Sequence, residues 1–111
     1  MLEICKNIHN QNLVLDLKGD LDATSCPRLN SMVITGIREG YKIIVFNFEH
    51  VCFVGSSGLR VFYTLLKECE NNDTQLVLCH VPPPIDRVFK TVHLYADFPV
   101  YETIDEALKG S

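Results

Sequence analysis

The chain has 111 residues, 10 basic and 14 acidic, a formal net charge of −4, 47% hydrophobic residues and five cysteines. That is one domain's worth of sequence with enough apolar residues for a packed core, which excludes intrinsic disorder. Its basic residues are scattered singly, which argues against a general nucleic-acid binder, and no segment approaches the roughly 20 apolar residues that span a bilayer.

Two short apolar segments, 2–8 and 12–17, are separated by the polar break His9-Asn10-Gln11-Asn12. The second alternates in period two, so the pair reads as a hairpin of antiparallel strands. Lys18-Gly19-Asp20-Leu21-Asp22 reads as a polar loop anchored by Leu21. A helix over 26–39 follows: Thr24 or Ser25 supplies a cap, Pro27 suits the first turn, Leu29, Met32, Val33 and Ile37 form one stripe, and Gly40 ends it.

Residues 42–48 are continuously apolar and β-branched at their centre, which predicts a central strand covered on both faces. Glu49-His50 reads as a turn into the short segment Val51–Val54. Gly55-Ser56-Ser57-Gly58 then leads into a second helix, 57–70, striped by Leu59, Phe62, Tyr63 and Leu66. A buried strand at 75–79 precedes Pro82-Pro83-Pro84, whose last proline starts a helix carrying Ile85, Val88, Phe89 and Val92. The chain closes with a weak edge strand at 99–101 and a brief helix, opened by Thr103 and Glu106 at capping-box spacing and carrying Ala107 and Leu108.

Strands separated by helices imply crossovers and a largely parallel sheet. The expected fold is a single-domain α/β architecture: a mixed sheet of four to five strands with helices mainly on one face. The N-terminal strand and side chains are expected to close much of the other face.

The chemistry-bearing residues are few. Cys5, Cys26, Cys52, Cys69 and Cys79 contain no CxxC pair and no zinc spacing, so they read as reduced thiols, with Cys52, Cys69 and Cys79 mostly buried. His9, His50, His80 and His93 all fall beside turns or ends and make no HExxH pattern, leaving no metal site and no cofactor. The Gly55–Gly58 loop lacks the lysine of a phosphate-binding loop and closes one residue too soon for a nucleophile elbow, so no catalytic residue is assigned. What it offers is two hydroxyls at a helix start, where free backbone N–H groups favour an anion: a place for phosphorylation, or simply a cap at Ser56 or Ser57. Asp20 and Asp22, two residues apart, point the same way in extended chain, which reads either as a plain solvated loop or as one acidic spot with a carboxylate facing the serine loop.

Gly19-Asp20-Leu21-Asp22, Ile43-Ile44-Val45-Phe46-Asn47-Phe48 and Val51-Cys52-Phe53-Val54-Gly55-Ser56-Ser57-Gly58-Leu59 together resemble a STAS domain of the anti-sigma factor antagonist type. The likeness extends over nearly the whole chain, 1–111, down to Glu106-Ala107-Leu108. It implies a small α/β domain that acts by partner switching. Unphosphorylated, such a protein binds an anti-sigma factor that is also a GHKL-type serine kinase; phosphorylation releases it, and a PP2C-like phosphatase restores binding. The resemblance places the modified serine on Ser57, with Ser56 as its neighbour and runner-up. Partner contacts fall on Asp20, Asp22, Gly55, Ser56, Ser57, Gly58 and Arg60. The usual family motif has aspartate immediately before the two serines, where this chain has Gly55. The alternative is a STAS scaffold or interaction module with no phosphoswitch, as in stressosome-like assemblies, for which the shape of the loop matters more than its modification. With no secretory signal or membrane segment in the sequence, a free-standing cytoplasmic antagonist is expected; neither reading fixes an oligomeric state.

Overall fold

The Asn10–Gln11 break folds the first two apolar segments into an antiparallel hairpin in the computed structural model, which describes residues 2–109. Asn10 sits at φ 59°, the left-handed conformation that asparagine tolerates and a tight hairpin needs. The two strands are β1 (Leu2–His9) and β2 (Asn12–Leu21). The remaining elements are α1 (Cys26–Arg38), β3 (Ile43–Val54), α2 (Ser56–Asn71), β4 (Gln75–Cys79), α3 (Pro83–Thr91), a 3-10 turn (Leu94–Ala96), β5 (Val100–Tyr101) and α4 (Ile104–Lys109).

The sheet order is β1-β2-β3-β4-β5, identical to the chain order, with every pair after the first parallel. The mixed five-stranded sheet, the antiparallel start and the short edge strand at the C-terminal end are as the sequence predicts. Leu13, Leu15 and Leu17 of β2 and Ile44, Phe46 and Phe48 of β3 point to one face, where α1, α2 and α3 bring Leu29, Val33, Phe62, Leu65, Ile85 and Phe89 against them. Phe46, Phe48, Phe62 and Phe89 pack there in stacked, tilted and edge-on pairs with ring centroids 5.5–6.3 Å apart. Each ring is fully buried, and each contributes about 1.5–3 kcal/mol of hydrophobic stabilisation.

The opposite face departs from expectation. β1 is an edge of the sheet rather than a cover for it, and α4 closes this side by seating Ile104, Ala107 and Leu108 on Val14, Ile43, Val45, Val77 and Cys79. The helix starts with the threonine half of the anticipated capping box: the Glu106 N–H donates to Thr103 Oγ1 at 3.1 Å, and the Thr103 hydroxyl donates to Glu106 Oε1 at 3.2 Å. Beyond its reach the face turns polar. Asp16 accepts from Asn7 Nδ2 at 2.6 Å and from the buried Asn47 Nδ2 at 2.7 Å, and Asn47 Oδ1 accepts the Glu49 N–H. Every buried polar group in this cluster therefore has a partner, which is the condition for its being tolerated.

Two loops predicted from sequence are strand. β2 continues through Lys18 to Leu21, and β3 runs unbroken through Glu49 and His50. Both extensions depend on each other, since the two strands are paired as far as Leu21 and Val54. Gly19, at φ 115°, admits a conformation that side-chain-bearing residues avoid.

Candidate functional site at the end of the β2–β3 ribbon

β3 outlasts β4. It pairs with β4 from Ile43 to Asn47 only, while its pairing with β2 continues to Val54, so a two-stranded ribbon projects from the sheet. Two register shifts occur in that ribbon. As β2 advances from Asp16 to Lys18, β3 advances from Asn47 to His50; as β2 goes from Gly19 to Asp20, β3 goes from Val51 to Phe53. Each shift inserts one extra residue into β3, the definition of a bulge, and resets which side chains face inward. Val51 and Val54 are consequently buried, and Phe53 is turned out with 53% of its surface exposed. Cys52 is exposed as well, contrary to the sequence reading; Cys26, Cys69 and Cys79 are buried, and Cys5 on the edge strand is exposed.

The serine loop is tied to the end of β2. The Gly55 N–H donates to the Leu21 carbonyl at 2.9 Å, and Gly55 itself is the N-cap of α2, in an extended conformation with no side-chain cap. Neither serine is the cap. Ser56 and Ser57 are the first two helical residues, Ser56 exposed and Ser57 half-buried, and their N–H groups precede the first intrahelical bond, Leu59 N–H to Gly55 O. Gly58 is buried: a Cβ there would stand 3.2 Å from the Leu21 carbonyl oxygen and 3.1 Å from Val54 Cγ1. Glycine at this position lets α2 start flush against the ends of both strands. Arg60 lies exposed on the following turn.

The acidic pair is split by its backbone. Asp20 belongs to β2, paired in register with Phe53, and is half-buried. Asp22 lies just past the strand and folds back, its Oδ1 accepting the Thr24 and Ser25 N–H groups at 3.0 and 3.1 Å. The Ser25 backbone bond, followed by that from Thr24 and the Ser25 hydroxyl, holds the Asp22 carboxyl below its ordinary value, against a partial desolvation. Ser25 occupies the N-cap position of α1, but its hydroxyl turns backward, accepting from the Asp22 N–H and donating to the Asp20 carbonyl. The start of α1 is thus organised by Asp22 rather than by a Thr24 or Ser25 side-chain cap.

Leu21 joins the two halves: its carbonyl receives Gly55, and Asp20 and Asp22 flank it in the chain. The structure therefore brings Asp20, Asp22, Gly55, Ser56, Ser57 and Gly58 to one end of the sheet, with Phe53 among them. Phe53 was missing from the sequence reading; the signal available was the spacing Phe48, Val51, Val54, which breaks period two. Because strand order follows chain order, the sheet has no topological switch point, the usual source of a ligand crevice in such folds. One cleft of about 740 Å³ lies on the polar sheet face beside Cys5, Asp16 and Asn47, and a smaller one of about 380 Å³ reaches Asp22 between Leu2, Thr24, Ser25 and Arg28. Among the described residues no group of three or more His, Cys, Asp or Glu side chains is arranged to hold a metal, and no helix is long and apolar enough to cross a membrane. This end of the sheet offers hydroxyls, a helix start and an exposed ring, which suits recognition by another macromolecule.

The STAS domain family model matches residues 3–107. An anti-sigma-B factor antagonist of Staphylococcus aureus is 32% identical over 76 residues, which cover 68% of this chain and 70% of that protein. An anti-sigma factor antagonist from Mycobacterium paratuberculosis superposes with a TM-score of 0.88 at 21% identity, over 99% of this chain and 93% of that one. The Bacillus cell fate determinant SpoIIAA in its phosphorylated form gives 0.74 at 24% identity, over 97% and 98%. These superpositions show the shared fold.

Proposed function

This chain belongs to the STAS domain family, among its anti-sigma factor antagonists, and from that premise we propose that it acts as a partner-switching antagonist. It is a binding protein and not an enzyme. Unphosphorylated, it captures an anti-sigma factor of the GHKL serine kinase type in the cytoplasm. That kinase releases it by modifying Ser57, with Ser56 the neighbouring choice, and a PP2C-like phosphatase returns it to the binding state. The whole of 1–111 serves as one module, and the contact surface comprises Asp20, Asp22, Gly55, Ser56, Ser57, Gly58 and Arg60.

One observation carries the reading: two serines open a helix that has no side-chain cap, beside the Asp20–Asp22 segment. A phosphate there adds roughly −1.5 to −2 charges at the favourable end of the helix dipole, so the fold tolerates it. On a binding surface the same charge must be desolvated or matched, so the complex does not.

The test is incubation with the cognate kinase and ATP, localisation of phosphate by mass spectrometry, and binding measurements on two variants. Ser57→Ala should fold, resist modification and still bind; Ser57→Asp should bind less well. Phosphate on Ser56 alone moves the site by one residue. No modification, together with full binding by Ser57→Asp, defeats the switch and leaves the scaffold reading, which Gly55 in the aspartate position favours.

A further inference from the structure

We infer that Phe53 is the residue by which the partner selects this chain: its ring enters an apolar socket on the partner protein, beside a single basic side chain that engages Asp20, and Gly55 leaves the ring free to do so. The inference rests on the proposal that a partner docks on the serine loop, and it names what that partner must present.

Phe53 is exposed because the second bulge turns it outward, at the end of a ribbon and two residues from the start of α2. Its backbone is anchored on both sides, by the ladder to Asp20 and by the Gly55 N–H to Leu21 bond, so little freedom is lost when the ring is buried. Asp20 lies opposite it in register, whereas the Asp22 carboxylate is turned back onto the Thr24 and Ser25 N–H groups. An exposed aromatic ring with one carboxylate-bearing neighbour in register fits an interface anchor, and its complement is an apolar pocket with one lysine or arginine placed for Asp20 and none left over for a phosphate on Ser57. Gly55 is not there for its backbone, since φ −89° and ψ 179° are open to any residue. What glycine leaves is space beside the ring: a Cβ would stand 3.2 Å from Phe53 Cε2 and 3.5 Å from Cζ. Aspartate in this position would displace the ring and set a carboxylate against it. Gly55 and Phe53 therefore act as a pair.

A double-mutant cycle measured by calorimetry, with the kinase that modifies the wild-type chain as probe and no ATP present, tests this. Urea midpoints confirm that each variant is folded. Phe53→Ala should weaken binding about 30-fold and Phe53→Leu should recover most of the loss. Gly55→Asp should weaken wild-type binding about tenfold, yet change little in the Phe53→Ala background, because its effect runs through the ring. Wild-type affinity in Phe53→Ala overturns the inference and leaves partner switching intact. An equal Gly55→Asp effect in both backgrounds overturns the pairing. A wild-type chain that no such kinase binds overturns the inference together with the proposed function.

Discussion

From Ile43 to Asn47, β3 lies between two parallel neighbours, and every side chain through Phe48 is buried; from Glu49 to Val54 it keeps one neighbour, takes in extra residues at two bulges and buries only Val51 and Val54. Continuous pairing and unbroken alternation give the first half two faces of core. Bulges give the second half a surface without ending the strand. The lesson is that one element carries stability and recognition in series, and the register shift marks where one task ends and the other starts.

The sharpest contrast is in thiol reactivity. Cys79, paired in register with Asn47 beside the first half, is pushed up to about 12, chiefly by burial and then by the Asp16 and Glu49 charges. Cys69, on the buried face of α2, is likewise raised to about 12, chiefly by burial. At pH 8 the thiolate fraction of such groups is roughly one in ten thousand, whereas Cys52 and Cys5 are exposed. A native titration with a disulfide reagent should find two fast thiols and three that react only on unfolding; a third fast thiol would break the division.

Next comes side-chain removal. Phe48→Ala should destabilise the domain by about 3–5 kcal/mol in chemical denaturation, because its ring packs against Phe46, Phe62 and Phe89. At the junction of the two halves with α2, Gly58→Val should cost about 2 kcal/mol, since the space beside Leu21 and Val54 is already filled. A smaller effect is expected in acid. Asp22 has its folded value lowered below 3.8 first by the Ser25 backbone bond, so its stabilisation is complete above about pH 4 and is lost as pH falls through the lowered value. Urea midpoints should therefore stay level, as far as this group is concerned, from pH 7 to 5 and drop below 4, and Asp22→Asn should remove part of that drop. The smallest effect belongs to Phe53→Ala, within about 0.5 kcal/mol of wild-type stability. A large loss there would mean that the ribbon's end is core after all.

Legibility from sequence follows the same division. Elements set by their own period or caps could be read in advance: the hairpin, α1 with its stripe and Gly40 at φ 87°, the Thr103–Glu106 box and the central run at 43–48. The serine motif was visible through family resemblance. What escaped depends on two segments agreeing. Lys18–Leu21 is strand only because Val51–Val54 lies beside it, and Glu49-His50 resembles a turn until a bulge absorbs it. α4 looks too short to cover a sheet face, yet three of its side chains meet an apolar patch assembled from β2, β3 and β4. Gly55 as cap, and Phe53 as an exposed ring, both follow from the bulges and were hidden with them.

The identity of sheet order and chain order has a kinetic consequence. Every ladder joins strands that are neighbours along the chain, so no pairing has to wait for a distant segment, and the entropy of each loop closure is small for a largely parallel sheet. During synthesis the β1–β2 hairpin can form before β3 exists, β3 can add once α1 is available to cross over, and each later strand finds its edge already waiting. The ribbon that carries the serine loop is thus complete before β4 is made, while α4, the cover of the far face, is the last piece to dock.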